Sequence, residues 1–461
     1  MPLMMYSDTI AAISTPLGEG GIGIVRLSGA GARQILGALF MPSRRRSEPG
    51  VWPRRLRHGH IVDPATGCAV DEVLAVFLPA PNTYTREDMA EINGHGGPVA
   101  LQRILSLCLA QGARLATPGE FTARAFLNGR ITLDQAEAVL DVIQARTETA
   151  LRLAVQQLDG RLADSVRGVR RSVLEVLAYH TAVMDFPDDE IDHQETLPLV
   201  RQALAQVQRL LDTADQGIIY RQGVRTAIVG RPNVGKSSLL NALLRESRAI
   251  VTPIPGTTRD TIEETLNLRG LPVVLIDTAG IAATDDLVEQ LGVERSRRAI
   301  AAADLVLFVL DGSQPLADYD REIAASLASR TSVVVVNKSD LAPGLDGAAV
   351  GALLPGAPVV HLSALTGEGL AALEETLVAT MLGGRAVAGD SWLVTSPRHQ
   401  DALRRAAEHL QAAADGLATN AYVDCVTIDL TAAANALGEI TGETAGDDLL
   451  EAIFSRFCIG K

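Results

Sequence analysis

Residues Gly230–Ser237 read G-R-P-N-V-G-K-S, preceded by the run R-T-A-I-V and followed by S-L-L-N-A-L-L. The first run is patterned as a buried strand and the second as a helix, so the loop sits where a phosphate loop must sit. Its two glycines allow backbone N–H groups to turn inward, and the helix N-terminus adds positive potential. Asn233, Val234, Gly235, Lys236, Ser237 and Ser238 form the expected cradle. Lys236 is placed to reach the outer phosphates and Ser237 to ligate Mg²⁺.

Three further segments select the base. Val273–Ile276 is an apolar strand ending in Asp277–Thr278–Ala279–Gly280, a D-x-x-G that can hold Mg²⁺ through water and sense a γ-phosphate. Val333–Val336 is another, ending in Asn337–Lys338–Ser339–Asp340. A carboxylate at Asp340 can accept N1–H and the 2-amino group of guanine, donors that adenine lacks at those positions. Ser363–Ala364–Leu365 supplies the turn that backs the base. Singly each signal is weak. In register they predict an inserted Ras-like P-loop domain that binds GTP.

The residue after D-x-x-G, a water-orienting Gln in Ras-like proteins, is here Ile281. Either hydrolysis is poor or another group positions the water. The switch I candidate is Ile250–Asp260, with Thr258 as its Mg²⁺ ligand. Asn233 has two readings, a cation ligand or a turn-stabilising side chain.

The runs G-R-P-N-V-G-K-S-S-L-L-N-A-L, G-T-T-R-D and D-T-A-G-I resemble the translation-factor-related, hydrophobic-substituted GTPases. The terminal Phe457–Cys458–Ile459–Gly460–Lys461 narrows the resemblance to the MnmE (TrmE) family of tRNA-modification GTPases. So do Asp8–Ala12, Gly94–Gly97, Pro118–Phe121 and Arg124–Asn128. That resemblance implies an α/β multidomain fold: an N-terminal α/β folate-binding-like domain over 1–125, a discontinuous helical bundle over 126–222 and 384–461, and the G domain over 223–383. It implies GTP hydrolysis coupled to modification of C5 of the tRNA wobble uridine, with a homodimer formed through the N-terminal domain. The implied partner is a flavoprotein of the MnmG (GidA) type, in a heterotetramer or larger, with FAD on that partner only. A tetrahydrofolate derivative (5-formyl or 5,10-methylene) is the implied one-carbon donor, held by Arg26, Glu91, Arg130 and Lys461. Position 130 is more often Lys in the family. Cys458 is an implied chemical participant, the alternative being a small buried hydrophobe. K⁺ is implied at Asn233, Thr252, Ile254 and Thr257, and Glu289 as the water-positioning acid. A regulatory or ribosome-assembly switch without chemistry of its own remains the rival reading.

Periodicity supports the division. Short β-type runs (Gly23–Leu27, Val73–Phe77) and a helix near Val99–Gln111 precede helical spacing from Leu133 to Gln216. Helical pattern resumes at Ser396, running through Ala402–Ala418 and Asp447–Phe457, and the two sets are expected to share one bundle because each exposes an apolar face.

The net charge of −14 argues against gripping nucleic acid by bulk electrostatics, so a partner is expected to supply positive surface. The Arg-rich segment 44–57 is either a solvated loop or a phosphate contact. The acidic run Phe186–Asp192 is either solvated surface or a metal or partner contact. His95, between glycines, reads as a turn residue or a catalytic group, with no Ser or Asp pattern beside it. Four scattered cysteines indicate neither zinc nor a disulfide framework. With no leader or membrane-length apolar run apparent, a cytoplasmic location is expected.

Overall fold

The alternating run at Gly23–Leu27 becomes β2 (Gly23–Ser28) in the computed structural model, which describes residues 8–16, 18–43, 54–186, 192–247, 264–276, 298–383 and 394–461. With it stand β1 (Ile10–Ile13), β3 (Phe40–Pro42), β4 (Arg57–Val62), β5 (Ala69–Leu78), β6 (Met89–Gly94) and β7 (Arg114–Leu115). Their order is β3-β4-β5-β6-β2-β1-β7, antiparallel except for β1 with β7. Side chains alternate across a strand. Val25 and Leu27 therefore enter a core with Ile35, Leu36, Ile104 and Leu107 of helices Ala32–Leu39 and Pro98–Ala110. Arg26 is left on the other face, beneath the aromatic rings of Tyr84 and Phe121.

A buried charge ties this domain together. Arg124, on helix Glu120–Leu127, is fully buried and bonds Asp8 Oδ1 (2.6 Å), Glu120 Oε1 (2.9 Å) and Glu87 Oε2 (3.2 Å). A lone guanidinium there would cost several kcal/mol, so the three carboxylates fix the helix against the entry to β1 and the loop before β6.

The second sheet contains β8 (Val224–Val229), β9 (Glu264–Leu268), β10 (Leu271–Leu275), β11 (Leu305–Asp311), β12 (Ser332–Asn337) and β13 (Val359–His361). The order is β13-β12-β11-β8-β10-β9, and only the β9–β10 hairpin is antiparallel. Cores lie on both faces, which explains why β11 and β12 read as unbroken apolar runs rather than alternating ones.

Helices on either side of this sheet in sequence build one bundle. Arg161–Asp185 and Leu197–Leu211 contribute Val166, Val169, Val173, Val200 and Val207. Pro397–Ala418 and Val423–Thr441 contribute Ala402, Ala406, Leu410, Leu430 and Leu437 to the same core. Val423–Thr441 was not anticipated from periodicity, and the helix expected over Asp447–Phe457 ends at Phe454. Leu133 and Leu140 of helix Leu133–Gln144 pack with Ala125 and Phe454, whereas Leu153 of helix Glu148–Leu158 is buried in a core of the second sheet.

The chain then returns to the N-terminal domain. Phe454 and Phe457 pack with Ala125, Ile131 and Leu133. Gly119 (φ +69°) admits this approach because a Cβ there would stand 2.6 Å from the Phe454 carbonyl oxygen.

Candidate functional site

The phosphate loop leaves β8 and enters helix Lys236–Ser247. Gly230 (φ +154°) and Gly235 (φ +99°) have no room for a Cβ, which would strike the Val309 carbonyl and the Asn337 amide. Asn233 takes the left-handed conformation (φ +62°) that Asn tolerates better than most residues. Lys236 Nζ donates to the carbonyls of Gly230 (2.9 Å) and Arg231 (2.8 Å). Burial lowers its pKa from the ordinary lysine value. The ammonium is therefore oriented across the loop, where an anionic phosphate would offset its lost hydration. Ser237 and Ser238 are exposed at the helix start.

Asn337 joins this loop to the base-backing turn. Its Nδ2 donates to the Val234 carbonyl (2.9 Å), and its Oδ1 accepts from Ala364 N (3.0 Å). Lys338 (φ +64°) donates to the Asn233 carbonyl (2.9 Å) and to Asp311 Oδ2 (2.7 Å). Burial alone would raise the Asp311 pKa, but bonds from Lys338 and Ser313 hold it below the usual carboxylate value. Asp311, absent from the motif reading, ends the apolar strand β11 much as Asn337 ends β12. An acid closing such a strand beside the motif was a usable signal. Ser363 is buried, its hydroxyl accepting from Thr366 N at 3.2 Å, and the Asp340 carboxylate is exposed. The parallel sheet thus brings Asn233, Val234, Lys236, Asn337, Lys338 and Ala364 into one cradle fit for a guanine nucleotide.

Thr252, Ile254, Thr257, Thr258, Asp277, Thr278, Ala279, Gly280, Ile281 and Glu289 lie outside the described residues, as do 44–53 and 187–191. Of the Arg-rich segment, Arg54, Arg55 and Arg57 are described, and Arg54 donates to the carbonyls of Pro79 (2.6 Å) and Asn82 (3.2 Å).

A second constellation forms where the chain terminus meets the first sheet. Arg26 and Glu91 are cross-strand partners on β2 and β6, and Arg26 Nε donates to Glu91 Oε1 at 3.0 Å. The Arg26 guanidinium lies 5.8 Å from the Tyr84 ring centroid and 5.9 Å from that of Phe121. Arg130 stands over the same Tyr84 ring at 4.6 Å. Gly460 (φ +96°) sits so close to Ile13 and Ser14 that a Cβ would meet the Ile13 carbonyl, which seats Lys461 beside these groups. Burial depresses the Lys461 pKa and Arg26 depresses it further, with Glu91 opposing. Three cationic groups, one carboxylate and two aromatic faces suit a flat, anionic, hydrogen-bonding ligand. Tyr84 was not singled out from sequence, and Phe121 entered only as the last residue of the Pro118–Phe121 motif, with no role at a site. Cys458 is exposed, which removes the buried-hydrophobe reading, and its carbonyl accepts from Gly119 N at 3.4 Å.

His95 has an acidic neighbour after all. Its Nδ1 lies 2.6 Å from Asp71 Oδ1, and its backbone N–H donates to Asp71 Oδ2 at 2.8 Å. The partner comes from β5, twenty-four residues away, too far for a local pattern. The bond to Asp71 raises the His95 pKa above its ordinary 6.5. Cys68 and Cys425 are exposed free thiols, whereas burial pushes the Cys108 thiol up to about 12. Among the described residues no helix is long and apolar enough to cross a membrane.

The chain matches the family model of the TrmE N-terminus over residues 9–130 and that of the MnmE helical domain over 133–458. The tRNA modification GTPase MnmE of Roseiflexus castenholzii is 56% identical over 471 residues, covering 99% of this chain and all of that protein. The protein of the same name from Chloroflexus aurantiacus is 54% identical over 457 residues, with the same coverage. A solved G domain, from the T. maritima FeoB iron transporter, is 28% identical over 34% of this chain and 98% of its own, with a TM-score of 0.26.

Proposed function

This chain belongs to the MnmE family of tRNA modification GTPases, and on that premise we propose that it couples potassium-activated GTP hydrolysis to one-carbon modification of tRNA. The modified atom is C5 of the wobble uridine, and the carbon comes from a tetrahydrofolate derivative. The observation that carries this reading is the gathering of Arg26, Glu91, Arg130 and Lys461 around Tyr84, at the joint between the first sheet and the chain terminus. A switch without chemistry has no use for such a cluster. Arg26 and Arg130 would hold the ligand's ring system against the aromatic faces, Glu91 would accept from its ring N–H groups, and Lys461 would meet its polar edge. Cys458, exposed three residues earlier, is within the same docked tail.

In the G domain, the loop N–H groups and Lys236 would bind the phosphates, and Ser237 with Thr258 would ligate Mg²⁺. Asp340 would read guanine, with Ser363 and Ala364 behind it. Asn233 would hold K⁺ together with Thr252, Ile254 and Thr257, supplying positive charge near the γ-phosphate that other GTPases take from an arginine. Glu289 would orient the attacking water in place of the absent Gln. Homodimers meeting through the N-terminal domain, and a flavoprotein partner of the MnmG type carrying FAD, complete the proposed assembly in the cytoplasm.

Equilibrium binding of 5-formyltetrahydrofolate to the purified protein tests this directly. One site per chain, weakened in Arg26→Ala and Lys461→Ala while GTP turnover persists, is the expected result. No binding at high micromolar ligand would leave the switch reading in its place.

A further inference from the structure

The G domain touches the bundle at a place the insertion itself does not require. Between helices Leu133–Gln144 and Glu148–Leu158 the chain bends, and Arg146 Nη1 donates to Thr265 Oγ1 of β9 at 2.9 Å. Thr147 Oγ1 donates to the carbonyl of Gly270, in the β9–β10 turn, at 2.9 Å. That same hydroxyl is the N-cap of the Glu148–Leu158 helix, accepting from Ala150 N at 3.2 Å. Two residues further on, the Thr149 hydroxyl occupies the space a Gly270 Cβ would need, and Leu153 is buried in the G-domain core.

The hairpin at the other side of this contact is a stiff piece. Arg269 (φ +53°) and Gly270 (φ +92°) form its tight turn, which Asn267 Oδ1 closes by accepting from Gly270 N at 2.8 Å. In the sequence, β9 begins four residues after the end of the switch I candidate and β10 runs into the D-x-x-G segment. Any nucleotide-dependent pull on either segment acts on one of the hairpin's two strands. We propose that Thr147 is a transmission residue: it makes the start of the Glu148–Leu158 helix depend on the position of the β9–β10 hairpin, and so conveys nucleotide state to the helical bundle. A hydroxyl has one proton to donate. A shift of the Gly270 carbonyl therefore either drags the cap with it or releases the bond, and both outcomes change the first turn of the helix.

This rests on the GTPase reading above. Hydrogen exchange on the full-length protein, with GDP against a non-hydrolysable GTP analogue, separates the two. Thr147→Ser keeps both the cap and the donor. Thr147→Asp keeps a good cap acceptor but has no proton for Gly270. In the wild type and Thr147→Ser, exchange over 147–158 is expected to differ between nucleotides by about fivefold or more. In Thr147→Asp that difference should vanish while residues 264–275 still respond. If Thr147→Asp transmits as the wild type does, Thr147 is only a cap and the proposal is overturned. It is equally overturned if wild-type residues 264–275 respond and 147–158 do not. A wild type in which neither segment responds would overturn it as well, and GTP turnover by the same preparation tells that failure apart from a failure of the GTPase reading.

Discussion

The nucleotide cradle and the cluster at the chain terminus differ in how their residues are brought together. In the cradle, every described member sits at the end of a strand, in the loop leaving it or at the start of the helix that loop enters, and neighbouring strands β8, β11, β12 and β13 run parallel. One sheet geometry thus places the whole set. The second cluster draws on β2, β6, a loop after helix Glu120–Leu127 and the last residue of the chain, joined by tertiary packing alone. A site of the first kind is as stable as its sheet. A site of the second kind depends on the docking of a tail.

The largest test of that contrast is in the cradle. Asn233→Ala should abolish stimulation of GTP turnover by potassium over sodium, a loss on the scale of an arginine finger, about 10³-fold or more, while GDP affinity stays near wild type. Equal rates in the two salts for the wild type would remove the cation from the site. Glu289→Ala should lower turnover about 10²-fold without weakening GTP binding, measured under single-turnover conditions. If its rate is intact, the water-positioning role does not belong to Glu289.

At the other site, Lys461→Ala should weaken folate binding about tenfold or more, the scale of one charged hydrogen bond, and leave GTP turnover alone. Gly460→Ala probes the docking itself, since a Cβ there meets the Ile13 carbonyl in a left-handed backbone. Folate affinity should fall several-fold, in line with a strain of about 1 kcal/mol or more. An unaffected affinity would mean that the tail need not dock as described. The smallest effect concerns His95. In Asp71→Asn its titration midpoint, followed by NMR, should drop back toward 6.5, because the raised value comes first from the Asp71 bond. GTP turnover should not change.

The same contrast explains what the sequence disclosed. Gly230, Lys236, Asn337 and Asp340 stand at fixed offsets within short runs, so the phosphate loop and base-recognition motifs were readable without knowing the sheet order. Arg26, Glu91, Arg130 and Lys461 carry no local signal of mutual proximity and were assigned only through resemblance to a family. Tyr84, Asp71 and Asp311 were missed, the first two because their partners come from distant parts of the chain. The helix Val423–Thr441 escaped for a different reason. Its first turns contain Val423, Val426, Thr427 and Ile428, β-branched residues that dilute helical propensity. Its inward face interleaves the larger Val426, Leu430, Leu437 and Ile440 with small residues, Ala433, Ala434, Ala436 and Gly438, so the hydrophobic stripe is uneven. Those small side chains let it lie close to Pro397–Ala418, and packing supplies what propensity does not.

The split bundle also has a consequence for how the molecule is made. Its core needs Val166, Val173 and Val200 from one side of the G domain and Ala402, Leu410 and Leu430 from the other. Residues 223–393 are translated between them. At roughly 5–20 residues per second, that interval lasts on the order of ten to thirty seconds. Through it the first helices hold apolar faces with no partner yet emerged from the ribosome, while the later-made G domain already has a complete sheet to fold around. The nascent chain is therefore expected to finish its middle before its beginning, and the early helices are where a ribosome-bound chaperone would find its work.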